Sequence, residues 1–258
     1  MPSPSNGLAL VTVPCLTDNY AYLIHDEATG TTALIDAPEA GPIQAALDAR
    51  GWRLSEILIT HHHDDHVQGV EALRAGARVV GAQADAHRLP PLDLAVKPGH
   101  RIAVCGEEAL VIDVPGHTVG HVAFHFARSG LAFTADSLMA MGCGRLFEGT
   151  PAQMWASLLA LRALPPETLV CSGHEYTAGN VRFALSVDAG NAALQARAEA
   201  VAAARERSEP TVPSRLSEEI ATNPFLRADD PVLKAAMGME GRPDAEVFAA
   251  IRSAKDRF

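Results

Sequence analysis

Short apolar runs alternate with turn-forming residues through the first two thirds of the chain. Runs that are rich in Val, Ile, Leu and Phe and are bounded by Gly, Pro, Asn or Asp are typical of short strands. The pattern predicts strands at residues 8–13, 20–25, 31–35, 57–60, 77–80, 101–105, 109–114, 121–126, 131–134 and 168–171. These strands are too many for one sheet under a single helix layer, so we predict two sheets.

Helical patterns fall between some of these strands. They predict helices at residues 40–50, 67–73 and 151–161, and Pro151 fits the first turn of the third helix. Strands interspersed with helices indicate an α/β chain in which helices cover two sheets. The pattern alone also permits one open mixed sheet.

After His174 the strand pattern stops and helical patterns take over. Residues 189–207 are rich in Ala, Glu and Arg, which together favour a helix. Further helices are predicted after Asp230 and after Pro243. The last helix carries an apolar stripe that is typical of docking on a larger body, formed by Val247, Ile251, Ala254 and Phe258. We therefore predict that the C-terminal third is a helical appendage.

Composition excludes several classes of protein. A chain of 258 residues has room for one large domain, or for a main domain with a small satellite. Its net charge of −10 argues against nucleic acid as a partner, because phosphate binding needs clustered positive charge. The sequence shows neither a secretory signal nor a membrane-spanning run, and its four cysteines form no CxxC pair. We expect a monomeric, cytoplasmic protein that binds neither nucleic acid nor membrane.

The densest polar segment is THHHDDH, which directly follows an apolar strand run. In an extended chain alternate side chains point the same way, so His61 and His63 can face one metal while His62 points elsewhere. A turn into a helix then brings Asp65 and His66 round to a second metal. Imidazole and carboxylate ligands suit zinc, iron or manganese, so the segment indicates a metal site.

A metal centre needs more ligands than one loop supplies. His117, Asp136 and His174 each lie where an apolar strand run gives way to a loop, which is the usual place for site residues on a rigid scaffold. Asp136 can bridge two cations about 3.5–4 Å apart. Asp36 also ends a strand run, and we expect it to accept a hydrogen bond from a ligand histidine. A histidine tract alone is as often a solvated loop, but this larger set of residues favours a metal centre.

Six motifs together identify a family resemblance. They are THHHDDH, PGHTVGH, TADSLMAMGCGRLFEGT, SGHEYT, NPFLR and IRSAKDRF. They resemble the glyoxalase II branch of the metallo-β-lactamase superfamily, the hydroxyacylglutathione hydrolases, nearly from end to end. HxHxDH alone is typical of the whole superfamily, whereas GCGRLFEG, HEYT and the basic last helix are similar to this branch. The resemblance implies an αββα metallo-β-lactamase sandwich over residues 1–174 and a helical substrate-binding domain over residues 175–258.

The same resemblance implies two divalent metal ions per chain, with zinc expected and iron or manganese as alternatives. The ligands it implies for the first metal are His61, His63 and His117. Those for the second metal are Asp65, His66 and His174, and Asp136 is the bridge.

The resemblance also implies glutathione contacts at Arg145, Tyr176, Arg252 and Lys255. Charges on a C-terminal helix are commonly a solvated face, and Arg145 can equally be a structural surface residue, so only the resemblance favours binding. One position departs from the family, because some members carry Tyr where this chain has Phe147. A hydroxyl contact to glutathione is then missing, which affects affinity rather than the reaction.

The activity that the resemblance implies is that of a thioester hydrolase acting on S-(2-hydroxyacyl)glutathione. Its typical reaction converts S-lactoylglutathione into glutathione and D-lactate, in methylglyoxal detoxification. A hydroxide held by two metals at Asp65 and Asp136 is the expected nucleophile. The thiolate leaves readily, because the pKa of its conjugate acid is about 8.5, so no strong general acid is needed.

The main alternative is a persulfide (sulfur) dioxygenase of the same superfamily, with one iron held by two histidines and an aspartate. Those positions exist here too, but GCGRLFEG and the basic tail argue against it. A β-lactamase or a lactonase is also disfavoured, because the basic tail would have no evident function in either enzyme. A non-catalytic binding module is disfavoured because all seven ligand positions are present.

Overall fold

The computed structural model describes residues 7–258, so the first six residues of the predicted catalytic domain lie outside the described residues. The chain forms two compact units. The first unit comprises the described residues up to Asp113 together with Gly120–Thr134. The second unit comprises Val114–Val119 and Ala135–Phe258.

The first unit is built mainly from strands. In chain order these are β1 (Ala9–Cys15), β2 (Asn19–Asp26), β3 (Thr31–Ile35), β4 (Leu54–Leu58), β5 (Arg78–Ala82), β6 (Leu94–Val96), β7 (Arg101–Val104), β8 (Glu107–Asp113), β9 (Val122–Phe126) and β10 (Leu131–Ala135). Three helices lie between them, namely α1 (Ala40–Asp48), α2 (Asp64–Val67) and α3 (Val70–Leu73).

Strands β1 to β6 form one sheet in chain order, and β7 to β10 are antiparallel neighbours in another. In the first sheet β1, β2 and β3 are antiparallel, whereas β3 to β6 run parallel. Successive side chains of a strand point to opposite faces, and nearly all of β2 is buried, so the first sheet is covered on both faces. The carboxyl ends of the adjacent parallel strands β3 and β4 meet at one edge, where a site can form.

Each face of the first sheet has its own apolar partner. On one face Leu23 packs in a cluster with Ile43 of α1 and Val70 of α3. On the other face the ring of Tyr22 lies 5.6 Å from the ring of Phe133 in β10, centroid to centroid. The two-sheet prediction is therefore confirmed over the open mixed sheet.

The second unit is mainly helical. Its elements in chain order are β11 (Leu138–Met139), β12 (Gly142–Cys143), α4 (Pro151–Arg162), β13 (Leu169–Ser172), α5 (Thr177–Val187), α6 (Ala192–Glu206), β14 (Ser214–Arg215), α7 (Leu216–Thr222), α8 (Pro231–Ala236) and α9 (Asp244–Asp256). The β11–β12 hairpin leads directly to Gly144 and Arg145. This hairpin therefore positions Arg145, one of the predicted glutathione contacts.

Helix α9 docks by the stripe that the sequence predicts, with one exception. Val247 and Ile251 are fully buried, and the neighbouring Phe248 lies close to Trp155 of α4 and to Phe225. Phe258 is largely exposed instead, because α9 ends at Asp256 and the last residues leave the helical stripe.

Two sequence predictions need correction. The predicted helix at residues 67–73 is divided near Gly69 between two short helices, and a β-carbon on Gly69 would lie only 2.9 Å from the carbonyl oxygen of Ala37. The strand pattern does not stop at His174 either, because β14 pairs with β13. In residues 7–258 no helix is long and apolar enough to cross a membrane.

Candidate metal centre

Asp36 organises the ligand loop of the first unit. It follows β3, takes a left-handed φ of 55°, and lies beside the residues that follow β4. Its Oδ1 accepts from the backbone amide of Thr60 at 2.9 Å, and its Oδ2 accepts from the Thr60 hydroxyl and from His66 Nδ1, each at 2.8 Å. These bonds occupy the carboxylate and hold His66 with Nδ1 protonated, so Nε2 is the nitrogen that can bind a metal. The expected contact from Asp36 to a predicted ligand histidine, His66, is therefore present.

His61 is oriented by the same network. The hydroxyl hydrogen of Thr60 goes to Asp36, so the Thr60 oxygen can accept from His61 Nδ1 at 3.0 Å. The Nε2 of His61 then faces Nδ1 of His63 at 3.2 Å. Two nitrogen ligands of a tetrahedral zinc at 2.0–2.1 Å lie about 3.3 Å apart, so this pair has the spacing that one metal requires. His121 stacks on the buried His61 ring at 4.6 Å and limits its rotation.

Asp65 and His62 have separate partners within the first unit. Asn19 Nδ2 donates to Oδ2 of Asp65 at 3.0 Å and to its backbone carbonyl at 3.1 Å. The ring of His62 lies edge to face against that of His63, with centroids 5.0 Å apart, and its Nδ1 lies 3.1 Å from Oδ2 of the buried Asp85. Asp85 in turn accepts from Arg88. Sequence reasoning missed Asn19 and Asp85, because neither residue lies near the ligand loop in the chain.

The second unit places two histidines on one carboxylate oxygen. Oδ2 of Asp136 lies 3.4 Å from Nε2 of His117 and 3.3 Å from Nε2 of His174. Nδ1 of His117 donates to the backbone carbonyl of Arg145 at 2.9 Å, which leaves Nε2 for a metal. Both distances again match the separation of two ligands on one metal. The shared oxygen fits the bridging role predicted for Asp136.

Backbone geometry permits this close approach. Ala135, directly before Asp136, has a φ of 41°, which lies in the left-handed region that residues other than glycine rarely adopt. A β-carbon at Gly144 would lie 2.0 Å from the backbone oxygen of Asp136 and 2.9 Å from Nδ1 of His117. Any larger residue at position 144 would therefore displace a predicted ligand. Strain of this kind is typical of functional sites.

The predicted substrate residues all lie in the second unit. The ring of Tyr176 stacks on His174 at 4.6 Å and is 43 % exposed, so it extends the ligand region toward solvent. Arg145 exposes 67 % of its side chain and lies 3.9 Å from Asp256. Phe147 is 64 % exposed and contacts the ring of His117 edge to face.

Arg252 and Lys255 are more enclosed than a solvated helix face would be. Arg252 is only 5 % exposed, and its guanidinium donates at 2.9 Å both to the carbonyl of Cys143 and to Asp256. The Lys255 ammonium donates to the carbonyl of Gly179 at 3.2 Å and lies over the ring of Phe183. Burial lowers the pKa of Lys255, and the cationic neighbours Arg252, Arg182 and Arg145 lower it further.

The cysteines are not activated nucleophiles. All four thiols are buried and free. Burial raises the pKa of Cys15 to about 11, of Cys105 to about 12 and of Cys143 to about 11. Burial also raises the pKa of Cys171. Thiolates of these four cysteines are therefore scarce near neutral pH.

Comparison with known proteins identifies the family. The Metallo-beta-lactamase superfamily profile matches residues 16–174, and the profile named Hydroxyacylglutathione hydrolase C-terminus matches residues 175–258. A hydroxyacylglutathione hydrolase of Cereibacter sphaeroides is 65% identical over 97% of this chain and 99% of its own length. This chain belongs to the hydroxyacylglutathione hydrolases.

Solved structures agree with the fold of this family. The crystal structure of BLEG-1 B3 metallo-β-lactamase matches with a TM-score of 0.66 at 19% identity, over 84% of this chain and 99% of its own. That of TTHA1623 in a di-iron-bound form matches with a TM-score of 0.60 at 26% identity, over 84% and 100%. The metallo-β-lactamase fold with a C-terminal helical region is thus confirmed. Together with the His/Asp sets, membership of this family indicates a dinuclear metal site.

Proposed function

We propose that this protein hydrolyses S-(2-hydroxyacyl)glutathione thioesters, typically S-lactoylglutathione to glutathione and D-lactate. The observation that carries the proposal is the convergence of His117 and His174 on one oxygen of Asp136, in a member of the hydroxyacylglutathione hydrolases. The persulfide dioxygenase alternative is not favoured, because curated relatives that are 56% to 65% identical carry the hydrolase name.

The seven ligand positions keep the assignment that the family resemblance implies. His61, His63 and His117 would hold one metal, Asp65, His66 and His174 the other, with Asp136 shared. The spacing within each unit supports this assignment, at 3.2 Å between His61 and His63 and 3.3–3.4 Å around Asp136. When bound, two divalent ions supply Lewis acidity, which makes water acidic enough to react near neutral pH and polarises a carbonyl. Zinc is the metal we expect, with iron or manganese as alternatives, since such donor sets accept all three.

The protein's own groups prepare the ligands and bind the substrate. Asp36 and the carbonyl of Arg145 each accept from Nδ1 of a ligand histidine, which fixes the tautomer that presents Nε2. Arg145, Arg252 and Lys255 supply positive charge for the carboxylates of glutathione. The leaving thiolate needs no strong acid, because the pKa of the thiol is about 8.5.

Two measurements on the purified protein test the proposal. Metal analysis is combined with the loss of thioester absorbance when S-lactoylglutathione is added. We expect about two metals per chain and turnover within the usual range of about 1–1000 per second. Two bound metals without turnover would contradict the proposed hydrolysis. Oxygen consumption with glutathione persulfide and no thioesterase activity would favour the dioxygenase instead.

Three further expectations belong to this proposal. Residues 1–174 would form the catalytic domain and residues 175–258 the substrate-binding domain, which is supported by the boundary between the two family profiles. The protein would be a cytoplasmic monomer, and reduced, buried cysteines fit that compartment. Limited proteolysis, cell fractionation and light scattering test these three points in turn.

A further inference from the structure

The second unit contains a group of four cations, Arg145, Arg182, Arg252 and Lys255, which we call the basic cluster. Three of them are the contacts that the family resemblance implies, whereas Arg182 is not among them. We propose that Arg182 is a further substrate-binding residue, and that its guanidinium binds a carboxylate of glutathione. This inference rests on the proposed hydrolysis of glutathione thioesters.

The position of Arg182 follows from helix α5. This helix begins at Thr177, directly after Tyr176, whose ring stacks on His174. The Nη2 atom of Arg182 lies 3.7 Å from the point where a β-carbon on Gly179 would be. The carbonyl of Gly179 accepts from the Lys255 ammonium at 3.2 Å. The Arg182 side chain therefore folds back along α5 toward the turn that Lys255 contacts.

Arg182 differs from two other members of the basic cluster in the exposure of its charged group and in the partners that this group already has. Arg252 is almost fully buried and already donates to the Cys143 carbonyl and to Asp256. Lys255 is partly enclosed between aromatic rings and donates to Gly179. Arg182 is exposed, and across residues 7–258 it forms no ion pair with an acidic side chain. Its guanidinium can therefore donate hydrogen bonds to a carboxylate without first breaking an ion pair within the protein.

The charge balance of the basic cluster supports an anionic ligand. Asp256 is the acidic neighbour that pairs with Arg252 at 2.9 Å and lies 3.9 Å from Arg145. Burial is the main cause of the lowered pKa of Lys255. Repulsion by the neighbouring cations lowers that pKa further, and Arg182 contributes to this repulsion after Arg252. A glutathione thioester carries two carboxylates, so its binding would offset this repulsion. Arginine suits the task because its planar fork can bind a carboxylate through two hydrogen bonds.

A contact of this kind acts on affinity and not on the chemical step. The carboxylates of glutathione do not change during thioester hydrolysis, so the contact is equal in the ground state and in the transition state. Loss of such uniform binding raises KM and leaves kcat unchanged. Because Arg182 is exposed, the effect should also shrink as ionic strength rises.

The test compares R182Q with wild-type holoenzyme. We expect KM for S-lactoylglutathione to rise about fivefold to tenfold at low salt, with kcat, metal content and Tm unchanged. R182K should recover part of the affinity, because it keeps the charge but loses the fork. R242Q is the matched control. It removes the same charge before the start of α9, far along that helix from Lys255, and should leave KM unchanged.

Two substrate analogues identify the carboxylate concerned. One has glycinamide in place of glycine, and the other has 4-aminobutyrate in place of the γ-glutamyl residue, so each lacks one carboxylate. We expect the KM penalty of R182Q to vanish with one analogue and persist with the other. A penalty that persists with both would show a general field effect and would overturn the inference, as would a KM for R182Q within twofold of wild type.

Binding of glutathione itself separates this inference from the proposed function. Calorimetric titration of the metal-loaded protein with glutathione does not depend on turnover. If the wild type fails to hydrolyse the thioester but R182Q binds glutathione about fivefold more weakly, the proposed reaction fails and the role of Arg182 stands. If the wild type hydrolyses the thioester and R182Q binds glutathione equally well, the inference about Arg182 fails alone.

Discussion

The predicted metal ligands of the first unit and the basic cluster of the second unit differ in how many of their polar groups already have partners within the protein. His61 and His66 are fully buried, and each has one ring nitrogen committed to Thr60 or Asp36. In the basic cluster, Arg145 and Arg182 are exposed to solvent. Buried polar groups are costly to leave unsatisfied, whereas exposed charges are screened by water. Changes near the ligands should therefore act on metal binding, and changes in the basic cluster should act on substrate affinity.

The strongest test of this difference is D136A. Two histidines share Oδ2 of Asp136, so its removal takes one ligand from both proposed metals. We expect metal content to fall below one per chain and kcat to fall by more than about a hundredfold, measured by elemental analysis and thioester hydrolysis. D113A, which removes an exposed carboxylate at the end of β8, should retain both properties. Full metal content in D136A would rule out the bridging role.

A smaller loss is expected for D36N. The amide cannot accept from the Thr60 hydroxyl and from His66 Nδ1 as the carboxylate does, so the His66 tautomer is no longer fixed. Loss of such an orienting partner typically costs about 10–100-fold in metal affinity, which competition with a chelator would measure. D48N removes an exposed carboxylate from α1 and serves as the control. Parental metal affinity in D36N would show that Asp36 has no orienting role.

In the basic cluster, R252K should affect substrate rather than metal. Arginine uses Nη1 for the Cys143 carbonyl and Nη2 for Asp256, and lysine has a single nitrogen that cannot reproduce this forked geometry, so the turn that leads to Arg145 loses support. We expect KM to rise about tenfold and Tm to fall by a few degrees, with metal content unchanged. R257K changes an exposed arginine one residue beyond α9 and should behave as wild type. Equal metal loss in R252K and D136A would remove the distinction between the two regions.

The smallest effect is expected for F147Y. Phe147 is exposed beside His117, where some family members carry tyrosine, so the added hydroxyl has room to contact substrate. One hydrogen bond contributes about 0.5–1.5 kcal/mol, and we expect KM to fall up to about tenfold while kcat stays constant. An unchanged KM for F147Y would mean that position 147 does not contact glutathione.

Spacing and strand position are most informative where one short segment carries several candidate ligands. They predict the THHHDDH loop and the strand-end residues His117, Asp136 and His174 as candidate ligands, and strand position alone predicts Asp36 as an orienting residue. The structure confirms the strands that place them. Periodicity could reveal these residues because each lies at the end of a long apolar run, where the pattern is strongest.

Other features of the fold and of the candidate site could not be predicted from the sequence, for physical reasons. Helix α5 was not predicted, because Gly179 and Asn180 in its first turns have low helix propensity. Arg182 therefore had no place in any predicted element. The burial of Arg252 was equally hidden, since a charged residue on a terminal helix normally faces solvent. Strands β11, β12 and β14 have two residues each, too few for alternation to show.

Helix α5 has a consequence for substrate length. At its start Tyr176 stacks on the predicted ligand His174, and one turn later the carbonyl of Gly179 meets Lys255. A helix rises about 1.5 Å per residue, and the Arg182 guanidinium folds back to Gly179, so this guanidinium lies only about 5 Å along the axis from Tyr176. The two residues from the cysteine to the glycine carboxylate of an extended peptide span at most about 7 Å. With Arg182 bound to a carboxylate as proposed, this short separation would favour thioesters whose carboxylate lies within one short peptide of the sulfur over thiols that lack such a carboxylate.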